Sequence, residues 1–118
     1  MPHITQDDNH IDYIEFAVSD VERAKAFYGK AFGWTFTDYG PQYCEFTDGR
    51  IKGGFDAMSE VRPGGALVVL YHSNLEEASK SVIEAGGKIS KEIFQFPGGE
   101  RFQFTDPDGH ELAVWRTL

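Results

Sequence analysis

Hydrophobic and polar residues alternate over Ile14–Val18, a pattern typical of a strand with one buried face. Ser19 and Glu22 follow at the spacing of a capping box, which opens a helix. Apolar residues then recur with helical period until Gly33, a residue type that commonly ends helices. The pattern predicts a strand and then a helix that begins at Ser19 and stops at Gly33.

The same order of signals returns in the second half of the chain. Val68–Tyr71 has the composition of a buried strand, and Ser73 and Glu76 repeat the capping-box spacing. A second apolar stripe then ends at Gly86–Gly87. Because spacing, capping chemistry and turn residues agree, the chain is predicted to be an internal duplication.

Three further strands are predicted after each helix, and an Asp-Gly turn precedes the last of them. They cover Thr35–Tyr39, Tyr43–Thr47 and Ile51–Met58 in the first half, and Lys88–Phe94, Arg101–Thr105 and Glu111–Arg116 in the second. Each half therefore has the order βαβββ. We expect a single domain over residues 1–118, with module one at about 11–58, a linker at 59–65 and module two at about 66–118. Residues 1–10 are polar and are predicted to be frayed.

These motifs resemble those of the vicinal oxygen chelate superfamily, which includes glyoxalase I, the bleomycin-resistance proteins and the extradiol dioxygenases. The segments that carry the resemblance are Asp20–Tyr28, Phe32–Trp34, Gly53–Phe55, Asn74–Ala78, Ala85–Lys88 and Asp106–Gly109. They are most similar to the subgroup of predicted enzymes related to lactoylglutathione lyase. The resemblance implies an α+β fold of two tandem βαβββ modules, whose sheets curl into a cup with the helices on the convex side.

Strand periodicity assigns side chains to the two faces of each sheet. Tyr13 and Glu15 are predicted to face the cup, as is Tyr71 in the second module. His72 is predicted on the helix side as a partly buried, hydrogen-bonded side chain. The predicted core includes Phe16, Phe27 and Phe32.

In glyoxalase I-like relatives, four cup-facing positions supply His and Glu ligands to a divalent metal. The resemblance assigns these positions to Tyr13, Gly53, Leu67 and Ala113, with Gly54 as the alternative to the second. None of them offers the imidazole or carboxylate that Zn²⁺, Ni²⁺ or Fe²⁺ requires. We therefore expect no metal of the family and no other cofactor.

Glu15 is the first candidate for chemistry, because a carboxyl group in a dry cleft can act as a proton shuttle. It could instead anchor a polar group of a ligand, or serve structure by pairing with a side chain such as Arg101. Tyr13 is the second catalytic candidate, as an acid or a hydrogen-bond donor. Glu111 offers a further carboxylate on a strand of the other module.

Small-molecule sites are mostly apolar, with a few polar groups that orient the ligand. Five side chains are candidates to line such a site, and the alternative is that Trp115, Trp34 and several Phe residues fill a small core. These ligand-binding candidates are Tyr43, Phe55, Tyr71, Glu111 and Trp115. Cys44 is predicted to be a small buried hydrophobic residue.

Composition narrows the classes of partner. The 118 residues are 41% hydrophobic, and 11 Lys+Arg stand against 19 Asp+Glu, for a formal net charge of -8. This balance argues against binding to nucleic acid or to an anionic membrane surface. The first ten residues lack the pattern of a signal peptide, and the single cysteine cannot form an internal disulfide. A cytoplasmic location is expected.

Three functions remain open from the sequence. The first is a metal-independent enzyme with lyase-like or isomerase-like activity on a small molecule, with Glu15 or Tyr13 handling protons. The second is a non-catalytic protein that sequesters a ligand or drug, like the bleomycin-resistance members. The third is a partner-binding module whose cup is filled by its own side chains. The resemblance also implies a homodimer, because chains of this plan commonly complete their cups with a second copy.

Overall fold

A computed structural model describes residues 7–60 and 65–118. The chain divides into two compact units, which we call the first and second modules. The first module is Tyr13–Leu67, and the second consists of Val68–Leu118 together with the stretch up to Asp12. Residues 61–64 of the predicted linker and residues 1–6 of the predicted tail lie outside the described residues.

The first module is a four-stranded sheet with one helix. Its elements are β1 (Ile11–Ala17), α1 (Val21–Phe32), β2 (Thr35–Asp38), β3 (Tyr43–Thr47) and β4 (Lys52–Asp56). The strand order is β2-β3-β4-β1, in which β1 runs parallel to β4 and the other pairs are antiparallel.

The second module repeats this arrangement. Its elements are β5 (Ala66–Tyr71), α2 (Leu75–Glu84), β6 (Lys88–Phe96), β7 (Gly99–Thr105) and β8 (Glu111–Thr117). The order is β5-β8-β7-β6, again with the first strand parallel to the last and the other pairs antiparallel. The predicted α+β fold of two tandem βαβββ modules is confirmed.

One face of each sheet packs against the helix of its own module and forms that module's core. In the first module the buried residues are Val21, Cys44, Phe46 and Phe55, with Phe16, Tyr28 and Trp34 among those packed on them. In the second they are Leu75, Ala78, Phe102 and Val114. The predictions that Phe16 and Cys44 belong to the core are confirmed.

Both helices begin one residue later than the capping boxes predict. The side chains of Asp20 and Asn74 each accept a hydrogen bond, at 3.1 Å, from the backbone N–H three residues further on, so these two residues are the caps. The hydroxyl of Ser19 instead accepts from the Arg23 guanidinium. The predicted serine caps are therefore wrong, because each serine is followed by a side chain that reaches the helix end better.

The predicted burial of Phe27 and Phe32 is also wrong, since these residues are 58% and 65% exposed. Val21, Ala24 and Tyr28 form the stripe of α1 that meets the sheet. That stripe is narrow, and Phe27 and Phe32 lie outside it. Phe27 contacts the edge of the stripe, with its ring centroid 5.0 Å from that of Tyr28, and also contacts the ring of Phe32.

Residues 7–10 are held against the second module, contrary to the predicted frayed tail. The backbone N–H of Asn9 donates to the Tyr71 carbonyl at 2.8 Å, and the Tyr71 N–H donates to the His10 carbonyl at 3.0 Å. The Asp8 carboxylate accepts from both the backbone N–H and the hydroxyl of Ser73, at 2.7 and 3.0 Å. Polar composition alone did not reveal these partners.

Candidate functional site

The face of the first module's sheet that is turned away from α1 carries a compact polar cluster. Tyr13 and Glu15 lie on β1, Tyr43 and Glu45 on β3, and Gly54 on β4. Gly54 is the register partner of both Glu15 and Glu45, so the three strands present these residues on one side. We call this set the helix-free face.

A chain of hydrogen bonds joins three of these side chains. The hydroxyl oxygens of Tyr13 and Tyr43 lie 2.5 Å apart. The Tyr43 hydroxyl also donates to the Glu15 carboxylate at 3.2 Å. The structure thus brings together three of the predicted site residues, Tyr13, Glu15 and Tyr43, through direct contacts.

Gly54 makes room for the two phenol groups. A Cβ atom at this position would lie 2.6 Å from the Tyr13 hydroxyl oxygen and closer still to the Tyr43 hydroxyl. Real Cβ atoms essentially never approach other heavy atoms below 3.0 Å. Glycine is therefore required here by the close approach of the tyrosine pair, which is one of the recognised reasons for glycine inside a strand.

Burial holds both phenols in their protonated form. Removal from water raises the pKa of Tyr13 well above its usual range, and the negative charges of Glu45 and Glu15 raise it further. Burial likewise raises the pKa of Tyr43, and its neighbours Tyr13 and Glu15 act in the same direction. At neutral pH the pair offers two O–H groups and no phenolate.

Phe55 does not join this face. It is fully buried on the helix side, with its ring centroid 4.9 Å from that of Phe46 and 5.4 Å from that of Tyr28. Its predicted position among the ligand-lining residues is wrong. The register makes Gly54, and not Gly53, the β4 residue that shares a face with Glu15.

Glu111 lies in a polar cluster of the second module, on the sheet face away from α2. Its carboxylate accepts from the Ser90 hydroxyl at 2.9 Å and from the Gln103 amide at 3.0 Å. Arg101 donates to the other end of the Gln103 amide at 3.2 Å, and its guanidinium lies over the Phe94 ring, 5.4 Å from the centroid. Glu111 is therefore a hydrogen-bonded member of a network.

Tyr71 and Trp115 form a ring pair in the same module. Their centroids are 5.7 Å apart in an edge-on arrangement, and Tyr71 is buried. The Trp115 indole N–H donates to the Asp12 carboxylate at 2.8 Å. This anchoring gives Trp115 a structural role, and the predicted role in ligand binding stays a prediction for both residues.

The duplication shows what is particular to the first module. Ala113 of β8 pairs with Val69 and Gln103, just as Gly54 pairs with Glu15 and Glu45. The second module therefore places an alanine, fully buried, where the first places Gly54. In the part of the chain that the structure describes, Tyr13 and Tyr43 overlie this position in the first module, and their approach requires glycine there.

Comparison with known proteins places this architecture in a family. A family model described as the Glyoxalase/Bleomycin resistance protein/Dioxygenase superfamily matches residues 10–114. The chain belongs to that superfamily. No curated protein matches the sequence.

Several solved structures resemble this member of the superfamily. One titled NAD-dependent benzaldehyde dehydrogenase from Legionella pneumophila has a TM-score of 0.74 at 18% identity, covering 90% of this chain and 98% of its own. Methylmalonyl-CoA epimerase from Mycobacterium tuberculosis has a TM-score of 0.74 at 13% identity, covering 98% and 93%. The Mn(II)-bound glyoxalase from Novosphingobium aromaticivorans has a TM-score of 0.64 at 23% identity, covering 92% of this chain and 38% of its own. At these identities the likeness concerns the fold alone.

The side chains at the superfamily's implied metal positions do not fit a metal. The Tyr13 hydroxyl is hydrogen-bonded to that of Tyr43, and burial, which raises its pKa, keeps the phenol neutral. Gly54 has no side chain, and neither Leu67 nor Ala113 carries a ligand atom. These residues offer none of the donors that divalent transition metals select.

A different group of ligand-type atoms occurs at the exposed Asp-Gly turn before β8. Asp106, Asp108 and His110 bring one ligand atom each within 4.8 Å of one another. The Asp106 carboxylate already accepts from the backbone N–H groups of Asp108 and His110, both at 2.9 Å, and contacts the His110 ring. These bonds close the turn, so the group has a structural function.

His72 is partly buried and hydrogen-bonded, as predicted: its Nδ1 accepts from the Asn74 backbone N–H at 2.9 Å. Among residues 7–60 and 65–118, no helix is long and apolar enough to cross a membrane.

Sequence reasoning missed the part that Gly54 takes in the site. Paired glycines inside a strand are a signal of close backbone approach, and Gly53–Gly54 carries that signal. It also missed Gln103, which links Glu111 to Arg101. The signal that could have found Gln103 is the alternation of side chains along β7. It puts Gln103 on the same face of the sheet as Glu111 of the neighbouring strand β8.

Proposed function

We propose that this chain binds a small organic molecule on the helix-free face of its first module, without the metal of its superfamily. The observation that carries the proposal is the hydrogen-bonded chain of Tyr13, Tyr43 and Glu15. At the positions on β1 and β4 where the resemblance to the superfamily implies metal ligands, this chain has the phenol of Tyr13 and the glycine Gly54. Phenol rings supply apolar surface, and their hydroxyls with the carboxylate supply the few polar groups that orient a ligand.

The arrangement of these side chains favours a preorganised binding site over packing that has no function. Two tyrosine hydroxyls share one short contact, and Gly54 is kept free of a side chain to admit them. The equivalent position of the other module, Ala113, has no such requirement. Side chains held in this way keep their geometry in the absence of ligand, and this lowers the entropy lost on binding.

The metal-free part of the proposal is tested by elemental analysis of protein purified without chelator, and by thermal unfolding with added Ni²⁺, Zn²⁺, Mn²⁺ and Fe²⁺. A ligand that binds only the native state, at about a hundred times its dissociation constant, stabilises it by roughly 2.7 kcal/mol. We expect neither stoichiometric metal nor a shift. Stoichiometric metal with such a shift would overturn the metal-free reading.

The binding part is tested by a fragment screen with ligand-observed NMR on the wild type and on the Tyr13→Phe and Glu15→Gln variants. Fragments that bind the helix-free face lose affinity in both variants. Glu76→Gln, an exposed position on α2, is the matched control and keeps them. A screen in which no fragment responds to either variant contradicts the proposal.

Proton transfer is a second candidate, favoured by the continuous path from Tyr13 through Tyr43 to Glu15. In that case Glu15 would take a proton from a bound substrate in a lyase-like or isomerase-like reaction. Deuterium exchange into a bound fragment, followed by NMR, distinguishes catalytic proton transfer from binding alone. Binding with no exchange above the Glu15→Gln background favours the non-catalytic, sequestering protein.

The remaining expectations concern partners and location. We infer that two copies associate, as members of this superfamily commonly do, and light scattering at high concentration tests this: a mass of one chain contradicts it. Tyr71, Trp115 and Glu111 stay candidates for ligand contact from the second module. The cytoplasmic location stays a prediction that fractionation of cells can test.

A further inference from the structure

The two helices carry opposite charges at equivalent positions of the duplication. Positions in α1 and α2 can be matched by counting from the residue that caps each helix. The third residue after the cap is Arg23 in α1 and Glu77 in α2, and the tenth is Lys30 in α1 and Glu84 in α2. At both positions, a cation of the first module therefore stands where the second module has a carboxylate.

These four charged residues lie on the side of each helix that is turned away from its sheet. All four are exposed, whereas the stripes that pack on the sheet are buried or half-buried. Seven residues make about two turns of an α-helix, so the two charges of each helix share one face, about 10 Å apart along the axis. We define the outer face of α1 as Arg23, Ala26, Phe27 and Lys30, and the outer face of α2 as Glu77, Lys80, Ser81 and Glu84.

The charges on the two outer faces are not neutralised within their own modules. Among residues 7–60 and 65–118, Lys30, Glu77 and Glu84 take part in no ion pair. The Arg23 guanidinium donates to the uncharged hydroxyl of Ser19, so its positive charge persists. The outer face of α1 is therefore positive, and on the outer face of α2 the carboxylates outnumber the one lysine.

An antiparallel contact between the two outer faces matches both charges at once. The spacing of the charged residues is the same in the two helices, so when Arg23 lies opposite Glu84, Lys30 lies opposite Glu77. This arrangement also sets the two helix dipoles in opposite directions, which places the end of each helix beside the oppositely charged end of the other.

Side-chain size is inverted between the two outer faces as well. Ala26 and Phe27 of α1 are equivalent to Lys80 and Ser81 of α2. In a contact between the faces, the small Ala26 leaves room for the Lys80 side chain, and the small Ser81 leaves room for the Phe27 ring. Phe27 is 58% exposed, so covering it removes apolar surface from water.

We propose that the outer face of α1 docks, antiparallel, on the outer face of α2 of a second copy of this chain. The inference rests on the association of two copies proposed above and names the surface that forms it. Each copy carries both faces, so a pair with two-fold symmetry makes the contact twice. The net charge of -8 repels copies from one another, and the positive outer face of α1 is a place where an acidic copy can approach.

Charge reversal tests the contact, with sedimentation equilibrium at low salt over a range of protein concentrations as the measurement. Lys30→Glu and Glu77→Lys each place like charges opposite one another, twice in a closed pair, so each should raise the dissociation constant about tenfold or more. Glu77→Lys lowers the net negative charge, so a loss in this variant cannot come from overall repulsion. Arg50→Glu, at an exposed turn, changes the net charge as Lys30→Glu does and should leave the constant unchanged.

A mixture of the two variants is the decisive sample. The Lys30→Glu copy has a carboxylate at positions 30 and 77, and the Glu77→Lys copy has an amine at both. A mixed pair therefore has opposite charges in both contacts and should associate about as tightly as the wild type. Glu84→Lys in place of Glu77→Lys should give no recovery, because Glu84 faces Arg23 in the antiparallel contact. Thermal unfolding of each variant checks that it is folded.

Association that keeps its wild-type strength in both single variants would overturn the inference and leave the association of two copies standing. A mixture that stays dissociated, or recovery with Glu84→Lys instead, would also overturn it. A wild type with the mass of one chain at every concentration would overturn both the association and this inference. None of these results changes the outcome of the fragment screen, which tests the proposed ligand site separately.

Discussion

Replacement of Gly54 by alanine tests whether the tyrosine pair is packed as described. The new Cβ would lie 2.6 Å from the Tyr13 oxygen and closer to Tyr43, so both phenols must move. Overpacking of this kind destabilises by about 1–3 kcal/mol. Loss of the Tyr13–Tyr43 and Tyr43–Glu15 hydrogen bonds adds about 0.5–1.5 kcal/mol each, while alanine regains about 0.5–1 kcal/mol of backbone entropy. The expected net loss is about 1–5 kcal/mol in the free energy of unfolding.

Urea denaturation followed by tryptophan fluorescence measures this loss, because Trp34 packs in the core of the first module. The control is a double-mutant cycle with Tyr43→Ala, which removes the nearer of the two clashing side chains. In that background the effect of Gly54→Ala should fall by more than half. A loss below about 0.5 kcal/mol, or the same loss in both backgrounds, would refute the packing argument.

Two further predictions concern stability. Burial raises the pKa of Tyr13 and Tyr43 in the folded state, so above about pH 10 the unfolded chain loses phenol protons that the folded chain keeps. The free energy of unfolding should therefore decrease as pH rises beyond 10, by up to about 3 kcal/mol per pH unit for the two groups together. Urea titration at several pH values measures this slope, and Tyr43→Phe should reduce it. An unchanged slope in the variant contradicts the prediction. At the start of α1, Asp20→Ala should lower the free energy of unfolding by about 1 kcal/mol, because the Arg23 N–H loses its cap. Ser19→Ala should lower it by less than half as much. Equal effects of the two variants would contradict the assignment of the cap to Asp20.

The sequence pattern predicted the order and type of every element. The bounds of β3 were predicted as Tyr43–Thr47 and are observed there. The errors arose where local patterns compete. Ser19 and Asp20 are both good caps, and only the path of the backbone decides which one reaches the helix end. For Phe27 and Phe32, hydrophobicity favoured burial, but the width of the contact between α1 and its sheet limits how many residues are covered.

The site was predictable only in part. Alternation along β1 placed Tyr13 and Glu15 on one face, and the parity of Tyr43 was also right. Phe55 was assigned to the wrong face because the two glycines before it carry no hydrophobic signal that fixes the parity of β4. The need for glycine at Gly54 depends on the register of three strands at once, which is a property of tertiary structure.

The hydrogen bond between Asp12 and Trp115 joins residues 103 positions apart in the chain. The four strands of the first module lie within residues 11–56, whereas the second module combines residues up to Asp12 with the distant strand β8. During synthesis the first module is therefore complete while the second still lacks its last strand. Closure of the longer loop is the slower step, because entropy must be lost before the distant contacts form. We therefore expect the hydroxyl chain of Tyr13, Tyr43 and Glu15 to form before Asp12 is anchored to Trp115.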